Sequence, residues 1–281
     1  MNDLTWTNTQ ARRLKELGVG LDDFPGFFST LGERDKLFQK IEKKKVRKER
    51  ARLKKFLVKG GKTSLESLVD DISLALCKHG FTRVATPVII SMSALAKMTV
   101  DKDNPLFHQV YKINEKQCLR PMLAPSLYSL MVDFCRVDHR PIRFFEIGSC
   151  FRKESDGARH NKEFTMLNLV EMGTAPEKRY ERLEELSRLI VKTAGINDFR
   201  FEKEDSRVYG TTLDVVSGKE SLELASGAMG PHPLDAAWGI TDTWVGIGFG
   251  IERLLMASKG DTSIGRWAKS LSYLDGMRLS I

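Results

Sequence analysis

FFEIGSCFRKESDGARHNKEFTMLN, residues 144–168, reads as a strand, a polar loop and a returning strand. Phe144, Phe145, Ile147 and Phe151 bring aromatic and branched side chains up to Arg152-Lys153-Glu154, and Phe164-Thr165-Met166-Leu167 leads back. The intervening loop holds no apolar residue larger than Ala158. Such a hairpin gathers the groups that hold a nucleotide. Arg152 can pair with a phosphate, Glu154 can accept from an adenine amine, Phe164 can stack on a base and His160 can reach an outer phosphate. Taken alone, the same residues also describe a surface hairpin with solvated charges.

Beyond the hairpin, residues 169–173 continue the second strand, and residues 177–194 form an amphipathic helix carrying Leu183, Leu186, Leu189, Ile190 and Val191. Residues 207–210 predict a turn, and 212–216 and 222–228 predict strands. On the latter, Glu223 with Ser226 three residues on could hold a cation against a phosphate. Trp244-Val245-Gly246-Ile247-Gly248-Phe249-Gly250 then alternates glycine with apolar residues and runs into a helix at Glu252-Arg253. A dinucleotide fingerprint would need glycine at 251, where Ile stands. Alternating glycines clear one face of a strand for a flat ligand, with Arg253 at the helix start facing it. Tight packing of helix on strand accounts for the glycines but not for the arginine.

Before the hairpin, Thr63-Ser64-Leu65-Glu66 is a capping box for a helix with Leu65, Leu68, Val69, Ile72 and Leu76 on one stripe, ending at His79-Gly80. Residues 81–90 predict a strand interrupted by Pro87, which places it at an edge, and a helix feeding such a strand suits a subunit interface. A helix at 93–98 and a short strand at 109–113 follow. Pro121 and Pro125 break regular structure over 119–125, and a helix starts near Ser126. Its stripe of Leu127, Tyr128 and Met131 fits core packing or one wall of an apolar pocket.

The 281 residues, 41% of them hydrophobic, suffice for one large domain with a smaller appendage. Cys77, Cys118, Cys135 and Cys150 form no CxxC pair and no zinc spacing with histidine, which predicts a reduced, cytoplasmic protein without structural metal. No apolar run approaches 18 residues, and the N-terminus lacks the apolar core of a signal peptide. The net charge of +8 is local: residues 43–55, KKKVRKERARLKK, carry nine of the 45 basic residues against Glu49, leaving 36 basic and 36 acidic residues elsewhere. This run lies in a helical appendage, residues 1–62. Leu14, Leu17 and Val19 mark a first helix there, and a second extends from near Gly32 to Val58. Lys43, Lys44, Lys45, Arg47, Lys48, Arg50, Arg52, Lys54 and Lys55 could grip a polyanion or form a solvated face. Gly60-Gly61-Lys62-Thr63 is not a phosphate loop, because Phe56 stands where the first glycine is required.

Three of these stretches occur in a telling order. Lys78-His79-Gly80-Phe81 with Val84 and Pro87, Phe151-Arg152-Lys153-Glu154 with His160 and Glu163-Phe164, and the glycine strand with Glu252-Arg253 resemble motifs 1, 2 and 3 of class II aminoacyl-tRNA synthetases over residues 63 to about 257. Within that class, Leu119-Arg120-Pro121-Met122-Leu123-Ala124-Pro125 with Leu127-Tyr128, Glu163-Phe164-Thr165-Met166 with Asn168, and Ser272-Tyr273-Leu274-Asp275-Gly276 resemble the pyrrolysyl-tRNA synthetase family, in its short form without a separate N-terminal tRNA-binding domain. The resemblance implies an α+β fold: a small tRNA-contacting helical region at 1–62, then a class II catalytic domain at 63–281 with an antiparallel sheet flanked by helices. It also implies a homodimer through residues 63–87.

The resemblance implies a reaction as well. The carboxylate of the amino acid attacks the α-phosphate of ATP, pyrophosphate leaves, and the 3′ end of tRNA(Pyl) attacks the adenylate. Arg152 would hold the α-phosphate and Glu154 the adenine amine, with Phe164 stacked on the base. His160 and Arg253 would bind the outer phosphates, and Glu223 with Ser226 would coordinate Mg2+. Arg152 and Arg253 would carry the charge neutralisation on which catalysis depends. Ala124, Leu127, Tyr128, Met131, Val170 and Trp244 would line the cavity for pyrrolysine, Asn168 would bond its side-chain amide, and Tyr209 would close over its ring. The nine cations of residues 43–55 would contact tRNA phosphates. Three other readings stay open: a synthetase for phenylalanine, which has no partner for Asn168; an idle RNA-binding relative, which has no need of Arg152, Glu154, Glu223 and Arg253 together; and a ligase acting on a protein, for which the basic run has no use.

Overall fold

The computed structural model describes residues 4–20, 26–137, 140–153, 161–206, 208–218 and 221–279. The chain divides into two compact units, Met1–Thr63 with Ser270–Ile281, and Ser64–Lys269. Among the described residues no helix is long and apolar enough to cross a membrane.

In the first unit, α1 (Asn8–Glu16) starts at Thr7, whose side chain forms a capping box with Gln10. Helix α2 (Leu31–Lys59) starts at Thr30, whose hydroxyl accepts from the Glu33 amide, and stops at Gly60. Leu14, Leu17, Val19 and Ile41 make a small core, with Leu37, Phe38 and Val46 packed on it. Of the nine cations of residues 43–55, Lys45 is half-buried, and Lys43, Lys44, Arg47, Lys48, Arg50, Arg52, Lys54 and Lys55 are exposed. Glu49, the one acid in that run, is turned inward at 8% exposure. It accepts from Arg52 at 2.8 Å and from the Arg278 amide at 3.2 Å. The outward face of this helix segment therefore carries no acidic side chain.

The second unit opens with α3 (Ser64–Lys78), β1 (Thr82–Arg83), β2 (Ile89–Ser91), α4 (Met92–Lys97), α5 (Pro105–Gln109), β3 (Gln117–Leu119) and α6 (Ala124–Phe134). The long hairpin β4 (Ile142–Phe151) and β5 (Glu163–Met172) follows, then α7 (Arg179–Thr193). Strands β6 (Phe199–Ser206), β7 (Gly210–Ser217), β8 (Leu222–Gly230) and β9 (Trp244–Gly250) lead into α8 (Ile251–Ser258). Seven strands form one sheet in the order β1-β4-β5-β9-β8-β7-β6, antiparallel throughout except for β1 beside β4. This is the expected α+β arrangement of an antiparallel sheet flanked by helices.

The strand period of two sorts the sheet's residues between two cores. Phe145, Leu167, Leu169, Val245, Ile247 and Phe249 pack against α3, α7 and α8 through Leu68, Ile72, Leu76, Leu186, Ile190 and Leu254. Each such fully buried side chain contributes about 1.5–3 kcal/mol. Phe144, Val170, Met172 and Trp244 face the opposite way, toward α4 and α6. The candidate site lies on this second face.

Three local expectations are corrected. The strand at 81–90 is split: β1 joins the main sheet, whereas β2 pairs with β3 in a separate two-stranded sheet, and Pro87, which has no amide to donate, stands between them. The strand at 109–113 is absent: α5, started by an Asn104 cap and Pro105, runs to Gln109, and beyond it only Lys112 forms an isolated bridge, to Cys118. Helix α6 begins at Ala124 because Pro125 falls in its first turn, where the missing amide has no helical partner to lose. At the chain's end, β10 (Tyr273–Leu274) and β11 (Met277–Arg278) form a hairpin of the first unit, with Arg278 paired to Glu16 at 3.2 Å.

Candidate active site

The second face of the sheet carries a cavity of about 330 Å³. Its floor follows from register. Asn168 on β5 lies opposite Gly248 on β9, and Ser226 on β8 lies on the other side of that glycine. Gly246 stands between Val170 and Ala228 in the same way. A Cβ on Gly248 would come within 2.7 Å of Asn168 Oδ1, so the backbone here must be bare for the amide to occupy its place. Gly248→Ala is expected to raise the KM of the amino-acid substrate at least about tenfold while leaving the ATP KM within about twofold, because the added methyl displaces that amide. Pyrophosphate exchange measured against each substrate checks this, and an unchanged amino-acid KM contradicts it.

At one end of the cavity, Ala124, Leu127, Tyr128 and Met131 from α6 form a wall with Val170, Tyr209 and Trp244. Tyr128 and Trp244 meet edge to face at 5.8 Å, and Tyr209 approaches Trp244 at 6.5 Å. Burial pushes the hydroxyls of Tyr128 and Tyr209 well above the ordinary tyrosine range, so both remain neutral. Every residue assigned to the amino-acid pocket from the sequence lines this one cavity. Leu127, Tyr128 and Met131 are at once core residues and pocket wall. Asn168 Oδ1 is buried here without a hydrogen-bond partner among the described residues.

Toward the other end stand Arg152, Phe164, Glu223, Ser226 and Arg253. Arg152 donates from Nε to the Pro121 carbonyl at 2.9 Å, and its guanidinium lies 5.1 Å from the centre of the Phe164 ring. Arg253 donates to the Glu223 carbonyl at 3.2 Å and stands 3.6 Å from its carboxylate. Glu154 and His160 fall outside the described residues.

The segment that holds Arg152 is itself anchored by a buried ion pair. Arg120 meets Glu146 at 2.7 Å, both side chains being 3% exposed, and donates from Nε to the Ser149 carbonyl at 2.8 Å. Thr86 binds the other carboxylate oxygen of Glu146 at 2.6 Å. Arg120 lies across Gly148, where any side chain would collide with it. At the mouth of the hairpin, Lys269 donates to Glu163 at 2.8 Å and to Ser149 at 2.6 Å, and its bond to Glu163 holds that carboxyl below its usual range.

Two polar lining residues had no role assigned from the sequence. Asn161 brings to the cavity that Arg152 and Phe164 also line a buried Nδ2, unpartnered among the described residues. Glu252, 1% exposed, accepts the Thr165 amide with both oxygens at 2.8 and 2.9 Å, which ties the start of α8 to β5 next to Phe164. Burial raises its carboxyl above the usual range against the pull of those bonds. Its place beside Arg253 was visible in the sequence, but its partner lies 87 residues away.

The family described as the core domain of class II tRNA synthetases (F) matches residues 50–270. The crystal structure of pyrrolysyl-tRNA synthetase from Desulfitobacterium hafniense is similar at a TM-score of 0.90 and 49% identity, covering 100% of both chains. A second structure from that organism, of the pyrrolysyl-tRNA synthetase PylSc, has a TM-score of 0.88 and 48% identity over 99% of this chain and 96% of that one. A probable phenylalanine–tRNA ligase beta subunit of Vairimorpha ceranae is 28% identical over 150 residues, and the match spans 52% of this chain but only 28% of that protein. The chain belongs to the class II tRNA synthetases and, among them, to the pyrrolysyl-tRNA synthetase family.

Proposed function

We propose that the protein is a pyrrolysine–tRNA ligase that activates its amino acid with ATP in this cavity and passes it to the 3′ end of tRNA(Pyl). The observation that carries the substrate is Asn168. An acceptor buried in an otherwise apolar pocket costs about 1–3 kcal/mol while unpaired, and an amide N–H on the substrate's side chain relieves that cost. Phenylalanine, the substrate named for the distant relative, has no group to offer there. The test is exchange of labelled pyrophosphate into ATP with pyrrolysine, an Nε-acylated lysine, phenylalanine and lysine in turn. Exchange with pyrrolysine supports the reading. Exchange with phenylalanine alone overturns the substrate, and exchange with none overturns the activity.

The chemistry needs no side-chain nucleophile. Phe164 offers a face for adenine, Arg152 neutralises charge at the α-phosphate, and Arg253 binds the outer phosphates. Glu154 and His160 keep the roles assigned by resemblance, for the adenine amine and an outer phosphate. For Mg2+, the protein supplies the half-exposed carboxylate of Glu223 and the hydroxyl of Ser226. Among the described residues no cluster of three metal-binding side chains exists. That donor set fits a hard ion that takes most of its ligands from phosphate and water. A homodimer through residues 63–87 accords with the exposed Leu74 in that segment and with the exposed Val88 and Ile89 that follow it directly, and the reaction belongs in the cytoplasm, where tRNA and ATP are found.

The cationic face of α2 suits tRNA phosphates. Replacing Lys43, Lys44, Lys48 and Lys55 by Gln is expected to raise the tRNA KM and to flatten its salt dependence by about 0.7–0.9 in log–log slope for each phosphate that is no longer neutralised. Pyrophosphate exchange, which needs no tRNA, stays unchanged. Aminoacylation with an unaltered salt dependence would remove this helix from the tRNA site.

A further inference from the structure

Asp235 sits behind the aromatic wall of the amino-acid pocket and does not line it. It belongs to the 3-10 turn Pro233–Ala237 and is 2% exposed. One carboxylate oxygen accepts from Trp244 Nε1 at 2.9 Å and from the His232 amide at 2.8 Å. The other accepts from the Tyr128 hydroxyl at 3.1 Å. Tyr128 comes from α6 and Trp244 from β9, and this carboxylate bonds to the polar end of each.

Both rings need such a hold. An indole or phenol in an apolar wall keeps its orientation through packing and through the bond its polar end makes. The indole of Trp244 lies over Gly230, where any side chain would collide with it, so that notch fixes where the ring lies and Asp235 fixes which way its N–H points. His232 is bound into the same turn: its ring accepts the Leu234 amide at 3.1 Å, and it meets Tyr209 at 5.9 Å between ring centres. Tyr209 touches Trp244 in turn. Three aromatic walls of the cavity thus lean on one turn, of which Leu234 and Asp235 are buried.

We propose that Asp235 is a positioning residue that sets the shape of the aromatic wall, and with it the affinity for the amino-acid side chain, without touching the substrate. The inference rests on the assignment of this cavity to the amino acid. Removing the carboxylate leaves two ring donors unpaired and free to turn into the cavity. An asparagine restores both bonds, its carbonyl accepting from the indole and its amide donating to the hydroxyl of Tyr128, which can accept.

The experiment is pyrophosphate exchange as a function of pyrrolysine and of ATP, for wild type, Asp235→Ala, Asp235→Asn and Tyr128→Phe. Asp235→Ala is expected to raise the pyrrolysine KM about tenfold or more, with the ATP KM within about twofold, and Asp235→Asn to bring it back within about threefold. Tyr128→Phe, which keeps the ring and drops only the bond to Asp235, is expected to raise the KM about fivefold, and it carries the test if Asp235→Ala does not accumulate. A merely structural residue would lower the active fraction and hence kcat, leaving KM in place; that result overturns the proposal. So does an Asp235→Asn variant as impaired in KM as the alanine. Wild type that fails to exchange with pyrrolysine overturns the assignment of the cavity and this proposal with it, an outcome separate from any seen in the variants alone.

Discussion

Arg152→Ala is expected to lower kcat/KM for pyrrolysine-dependent pyrophosphate exchange by about 10²–10³-fold, with most of the loss in kcat. The attack builds negative charge around the α-phosphorus, and a fixed cation is worth more to that state than to the bound ground state. Arg152 is held for the purpose. Its Nε is committed to the Pro121 carbonyl at 2.9 Å, and its plane rests against Phe164 at 5.1 Å. Pro121 in turn follows Arg120, which is locked to Glu146 at 2.7 Å. Arg152→Lys should recover only part of the loss, because a lysine keeps the charge but not the fork that binds a carbonyl and a phosphate together. Exchange rates at saturating and limiting ATP separate the two parameters. Wild-type kcat in the alanine variant would exclude Arg152 from the reaction.

Asn168→Ala is expected to reduce kcat/KM for pyrrolysine by about 10²-fold and to compress the preference for pyrrolysine over phenylalanine by more than that. A site built around a hydrogen bond rejects ligands that cannot make it, because its own polar group is left unpaired. Removing the amide therefore weakens the correct substrate and stops penalising the wrong one. Asn168 Oδ1 is the unpaired group in question, held on the cavity floor opposite Gly248. The measurement is the ratio of kcat/KM for the two amino acids in wild type and variant. A parallel fall for both would mean that Asn168 supports the floor without reading the substrate.

Much of the site was legible locally. The hairpin around residues 144–168 and the glycine strand declare themselves by strand-forming residues, turn composition and period-two alternation, all properties of neighbours in sequence. The structure places β4 at Ile142–Phe151, β5 at Glu163–Met172 and β9 at Trp244–Gly250, within about two residues of where those signals fall. Resemblance to a family ordered the pieces and assigned Arg152, Asn168, Glu223 and Arg253 to one site. The strand expected at 109–113 failed on equally local grounds, since Asn104 and Pro105 start a helix that runs to Gln109.

The sequence by itself determined the strands of the central hairpin and the glycine strand, which face of each is apolar, where one helix concentrates positive charge and, through its motifs, the family. Only the tertiary structure decided what shares a cavity. Leu127, Tyr128 and Met131 have the same spacing whether they pack in a core or wall a pocket; that choice depends on the strands opposite them. Asp235 and Glu252 are ordinary acids in sequence, and their partners, Tyr128 and Thr165, stand 107 and 87 residues away. The reason is physical: alternation and capping act through adjacent backbone groups, whereas hydrogen bonds across the fold depend on strand order and register, which only the packed chain defines.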